Sequence, residues 1–166
     1  MEYSANKVWK KEQIEQVAYQ FDQCTLPEKE WTHQAHLIVS AWNLYKLEYN
    51  QAVLKLKLGI ARYNESLGNQ NTIEHGYHET LTLFWTWAIA GYLDRMCEQN
   101  PYQYINDLIR SPFGDKYLPF FFYSEDLLFS AKARVMWVEP DMHDLNHEAI
   151  LEDYPESIWR SNYVNQ

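Results

Sequence analysis

Leu81-Thr82-Leu83-Phe84-Trp85-Thr86-Trp87-Ala88-Ile89-Ala90-Gly91-Tyr92-Leu93 is apolar on nearly every helical face, interrupted by two threonines. A helix that is apolar all round must be surrounded, by protein or by lipid. This run of about 13 residues is too short to cross a bilayer, so it reads as the central helix of a bundle. The helix is expected to start around His75 to Tyr77 and to continue toward Glu98.

The flanking segments supply the helices that would surround it. Upstream, Ile14, Val17, Ala18 and Phe21 repeat at i, i+3, i+4, i+7 and predict a helix over roughly 10–24, stopped by Pro27. Thr32 can cap a second helix whose stripe is Ala35, Ile38, Ala41, Trp42 and Tyr45, ending near Leu47. Asn50 reads as the cap of a third, through Val53, Leu54, Leu58 and Ala61, with Gly68 as its left-handed stop. Downstream, Asn100-Pro101 fits the cap and first position of a helix to about Ile109. Phe120-Phe121-Phe122-Tyr123, between Pro119 and Ser124, reads as a buried strand-like stretch. Ser124 and Ser130 can each cap a helical turn, the second running over Ala131 to Val138. The predicted fold is all-α: a helical bundle of about five to six helices over 1–140, then an irregular acidic C-terminal tail over 141–166.

Composition narrows the function classes. A chain of 166 residues with 46% apolar side chains can bury a core without disulfides. Its net charge of -9 argues against nucleic acid as a partner, because phosphate binding needs clustered cations. The residues from 139 onward carry a net charge of -6, which marks the tail as a solvated surface segment containing Pro140, Pro155 and the apolar Ile150, Leu151, Ile158 and Trp159. Met1 to Lys11 is polar, so no secretory signal is expected and the protein is assigned to the cytoplasm, away from membranes. Cys24 and Cys97 share no metal-ligand spacing and are expected to face the core.

Chemistry concentrates at six histidines in three pairs: His33 with His36, His75 with His78, and His143 with His147. Short connectors make helices two, three and four run up, down and up, so the first two pairs sit at the same end of the bundle. Spacing of i, i+3 puts His33 and His36 on one helical face, and does the same for His75 and His78 if helix four starts early. The positive end of a helix disfavours imidazolium, and a neutral imidazole binds metal. His33, His36 and His78 are therefore the expected ligands of a divalent metal, zinc first, with nickel or iron also suited, and His75 is an optional fourth. Glu79 is the expected general base on metal-bound water, with Thr80 and Thr82 as supporting donors, which makes a metal-dependent hydrolase the default reading.

The strings Trp31-Thr32-His33-Gln34-Ala35-His36-Leu37, Arg62-Tyr63-Asn64, Gly76-Tyr77-His78-Glu79-Thr80, Phe129-Ser130 and Trp137-Val138-Glu139-Pro140-Asp141 together resemble a family of uncharacterised bacterial proteins. The resemblance covers most of the chain up to about residue 141 and implies no substrate and no reaction. It groups His33, His36, His78 and Glu79, and leaves His75 outside.

Other readings use the same residues. Two helix N-termini with Asn69, Asn71 and Arg62 or Arg134 would form a metal-free pocket for a small anion, as a binding module or an acid-base enzyme. Glu30-Trp31-Thr32-His33 has the Glu-x-x-His pattern of di-iron bundles, echoed only by Asp144-Leu145-Asn146-His147. Trp42, Phe84, Trp85, Trp87, Tyr92, Phe120, Phe121 and Phe122 are either core or the wall of a pocket for a flat ligand. The broad apolar surface of helix four would also suit a homodimer. His143 and His147 are expected to be solvated in the tail.

Overall fold

The all-round apolar segment is a helix, and the rest of the chain folds around it. The computed structural model describes residues 7–96 and 100–156, which are all-α, without a strand among the described residues. In chain order the helices are α1 (Lys11–Asp22), α2 (His33–Lys46), α3 (Tyr49–Ser66), α4 (Glu79–Arg95), α5 (Pro101–Ile109), α6 (Pro119–Phe122), α7 (Glu125–Leu128), α8 (Ala131–Val135) and α9 (His147–Glu152). Five of these have seven residues or more. Short 3-10 turns at Glu28–Glu30 and Pro112–Gly114 connect α1 to α2 and follow α5.

No residue from Glu79 to Leu93 is exposed, because α2, α3, α5, α8, α9 and the Pro112–Gly114 turn all pack against α4. Phe84, Ala88 and Ile89 of α4 are fully buried beside Leu37, Ile38 and Ala41 of α2. Burying a side chain such as Phe84 or Ile38 stabilises by roughly 1.5–3 kcal/mol, which is how a helix with little polar surface is held. Among the described residues, no helix is long and apolar enough to cross a membrane.

The helix caps follow the local chemistry. Thr32, Asn100, Ser124 and Ser130 each accept a backbone N–H at the start of their helix, as their sequence positions predict. Gly68 takes φ +82° just past α3, the left-handed stop that its position predicts. Four boundaries differ from expectation. α3 begins at Tyr49 after Glu48, so Asn50 is inside the helix. The aromatic stretch expected to be strand-like is the short helix α6, because Pro119 supplies a first helical position and Tyr123 returns to extended backbone. α8 stops at Val135, where Met136 turns extended. α4 starts at Glu79, later than His75 to Tyr77, for a reason found in the loop before it. Its expected continuation toward Glu98 lies outside the described residues, as do Cys97, Ile158 and Trp159. Cys24 is half-buried and packs at the edge of the core with φ 55°.

The acidic tail, as far as it is described, lies on the bundle. His147 stacks on Trp87, with ring centroids 4.1 Å apart, and donates from Nε2 to the Trp87 carbonyl at 3.0 Å. His143 stacks on Phe121 and bonds its carbonyl, and the buried Tyr154 hydroxyl donates to Asp115 at 2.7 Å. His147 is thus a half-buried packing residue, whereas His143 packs on Phe121 but stays exposed, as expected of the tail. The His147 ring sits where a side chain on Gly91 would go: a Cβ there would lie 2.2 Å from Nε2. Gly91→Ala is expected to push α9 off α4 at a cost of about 1–2 kcal/mol. Urea denaturation measures that cost, and faster amide exchange confined to 147–152 locates it.

Candidate functional site

The starts of α2 and α4 and the end of α3 enclose one cavity of about 440 Å3. That is the size of a small-molecule site. His33, His36, Leu37 and Ser40 come from α2, and Ile60 and Asn64 from α3. Leu81, Thr82, Trp85 and Ile89 come from α4, while Trp31 and the segment Gly76-Tyr77-His78 close the rim. The up-down-up reading of the three helices thus brings the predicted histidine pairs to one end. His33, His36 and His78 all line the cavity, and His75 is exposed in the preceding loop.

That loop explains why α4 starts late. Asn71 accepts the Tyr77 N–H at 2.9 Å and donates to the Ala61 carbonyl at 2.9 Å, tying the segment to α3. Gly76 has φ +80°, and a Cβ there would lie 2.7 Å from both Asn71 Oδ1 and the Gln70 carbonyl. The left-handed turn separates His75 from His78, so the two do not share a helical face. His78 is instead the N-cap of α4.

Hydrogen bonds fix the tautomer of each ring, since a carbonyl oxygen only accepts. His33 donates from Nε2 to the Gly114 carbonyl at 2.8 Å, so Nδ1 holds the lone pair. His36 donates from Nδ1 to the Thr32 carbonyl at 2.8 Å, leaving Nε2 with the lone pair, and its ring lies over Trp31 with centroids 3.7 Å apart. His33 Nδ1 and His36 Nε2 have no hydrogen-bond partner among the described residues. In His78 both nitrogens are engaged: Nε2 donates to the Leu128 carbonyl at 2.8 Å and Nδ1 accepts the Leu81 N–H at 3.2 Å.

Burial sets the charge of these rings. It holds His36 down to about 4 against the opposing effect of the bond to Thr32, with His33 lowering it slightly further. Burial also lowers His33 and His78, opposed by their carbonyl bonds and assisted by Lys116 and Arg134 respectively. All three rings are neutral at pH 7.

Glu79 does not line this cavity. Its carboxylate pairs with Lys57 and accepts the Tyr77 hydroxyl at 2.6 Å. Burial and this bond hold the Tyr77 phenol well above its usual range. Thr80 is fully buried and donates to the Met136 carbonyl while accepting the Val138 N–H, which pins the segment after α8 to α4. Thr82 lines the cavity and donates to the His78 carbonyl.

Among the described residues, no three His, Cys, Asp or Glu side chains are placed to hold one metal ion. The anion-binding groups expected from the sequence are also elsewhere. Arg62 bonds the Asp22 carbonyl, Arg134 bonds the Gly76 carbonyl, and neither Asn69 nor Asn71 lines the cavity. No Lys, Arg, Asp or Glu lines it at all among the described residues. Glu30, the first residue of the di-iron pattern, is exposed in a 3-10 turn. Of the aromatic residues proposed for a flat-ligand pocket, Trp85 alone is on the cavity wall, and Phe84 and Phe122 are core.

Sequence reasoning missed Ser40. It is 8% exposed, lines the cavity, and its hydroxyl has no hydrogen bond among the described residues. The available signal was its position four residues after His36 and seven after His33 on one helical face. In comparisons with known proteins, no family model matches the chain, and neither a curated protein nor a solved structure matches it.

Proposed function

We propose that the cavity is a metal-free binding site for a small, neutral, flat molecule that donates hydrogen bonds to His33 Nδ1 and His36 Nε2. The observation that carries this reading is the pair of unbonded lone-pair nitrogens on a wall that is otherwise largely apolar and uncharged. Neutral imidazoles with one N–H already donated can only accept, so the ligand must donate. An anion would meet two lone pairs and no cation, and its desolvation would go uncompensated. Trp85 supplies aromatic surface for a ring to lie against, whereas Trp31 is already covered by Phe21 and His36.

A metal-bound form is the second reading, because backbone carbonyls that accept one imidazole N–H also orient metal ligands. His33 and His36 offer two donors, one short of the three protein ligands of an open zinc site, since both His78 nitrogens are engaged.

Titration with phenol, benzoate and zinc, followed by tryptophan fluorescence and calorimetry, separates these readings. Phenol should bind, benzoate at least tenfold more weakly, and His36→Gln should weaken phenol about tenfold while leaving the fold intact by circular dichroism. Stoichiometric zinc at pH 7, lost in His33→Gln and His36→Gln, would replace this reading with the metal one. Preferential benzoate binding would overturn both.

A further inference from the structure

Two polar groups of α2 face the cavity with opposite capabilities. His36 Nε2 accepts only, whereas the Ser40 hydroxyl, one turn further along the same face, can donate. A buried serine in a helix ordinarily bonds the carbonyl four residues back. Ser40 makes no such bond among the described residues, although it is more than nine-tenths buried. The Ser40 hydroxyl opens on the cavity, where water or a ligand can accept its proton; among the described residues, the buried side-chain polar atom without a partner is the Tyr104 hydroxyl. Leu37, Ile60, Leu81 and Ile89 line the cavity too and offer no side-chain hydrogen bond.

We infer that Ser40 is the specificity-determining residue of this site, and that the ligand class is a neutral ring carrying an N–H next to a carbonyl, a lactam-type heterocycle. The N–H donates to His36 Nε2 and the ring carbonyl accepts the Ser40 hydroxyl. His33 Nδ1, one turn nearer the rim, takes a second donor where the ring carries one. One face of the ring lies against Trp85. This assignment rests on the metal-free reading above and adds to it the identity of the group that Ser40 reads.

The test compares 2-pyridone, which has both groups, with pyrrole, whose N–H donates and whose ring offers no lone-pair acceptor, in the full-length protein and in Ser40→Ala. Alanine favours the helix and removes only the hydroxyl, so the fold is retained. Ser40→Ala should weaken 2-pyridone roughly three- to tenfold, the worth of one neutral hydrogen bond, and leave pyrrole within twofold. Ser40→Thr, which keeps the hydroxyl, should restore the preference for 2-pyridone. Equal losses for both probes, or none for either, would overturn the role of Ser40 while the binding reading stands. Failure of 2-pyridone alone to bind would overturn the role of Ser40 only, and failure of both rings would overturn both.

Discussion

His78→Ala is expected to destabilise the fold by about 2–4 kcal/mol, even without any ligand. The ring joins two elements far apart in sequence: its Nδ1 caps α4 through the Leu81 N–H, and its Nε2–H holds the carbonyl of Leu128 at the end of α7. A lost N-cap costs about 1 kcal/mol, and a buried carbonyl without its partner costs about 1–3 kcal/mol more. One tautomer satisfies both bonds, so the neutral ring is a fixed structural part. His78→Asn can cap the helix but does not reach Leu128, and is expected to recover about 1 kcal/mol of the loss. Urea denaturation of the three proteins measures this ordering. A fully stable His78→Ala protein that had lost bound zinc would instead make His78 a metal ligand.

The helices were legible because they depend on local rules. The i, i+3, i+4, i+7 stripe of α1 and the Thr32, Asn100, Ser124 and Ser130 caps need only a few neighbouring residues to be read. Short connectors were enough to put His33, His36 and His78 around one cavity. What each histidine does there depends on distant partners. The carbonyls of Gly114 and Leu128 that fix the His33 and His78 tautomers lie 81 and 50 residues away. Lys57, which pairs with the Glu79 carboxylate outside the cavity, is 22 residues upstream on another helix. Histidine is also not among the usual N-cap residues, so the true start of α4 was hidden behind a more ordinary early start. Ser40 was overlooked for the opposite reason: a small polar residue inside an apolar stripe carries no pattern until the cavity beside it is known.

Stability is expected to fall steeply as the pH drops from 7 toward 4.5, before most carboxylates titrate. In the unfolded chain each histidine takes up a proton near 6.5. In the folded chain His36 stays neutral until about 4. Between those values the unfolded state binds more protons, so acid favours unfolding and stability rises with pH. From His36 alone the loss is about 2 kcal/mol by pH 5 and about 3 kcal/mol when complete. His33, His78 and His147 are also lowered, chiefly by burial, and act in the same direction. Folding free energies from urea melts at pH 7.5 and 5.0 give the size of the effect. His36→Gln keeps an amide able to donate to the Thr32 carbonyl but cannot titrate, so its pH slope should be shallower than that of the parent protein. The same protonation turns His36 Nε2 from acceptor to donor, so phenol affinity should fall only as the pH approaches 4, well below the ordinary histidine range. An affinity that instead fell around pH 6.5 would mean that the acceptor titrates like an ordinary solvated imidazole, and His36 would not be the ring that accepts the ligand.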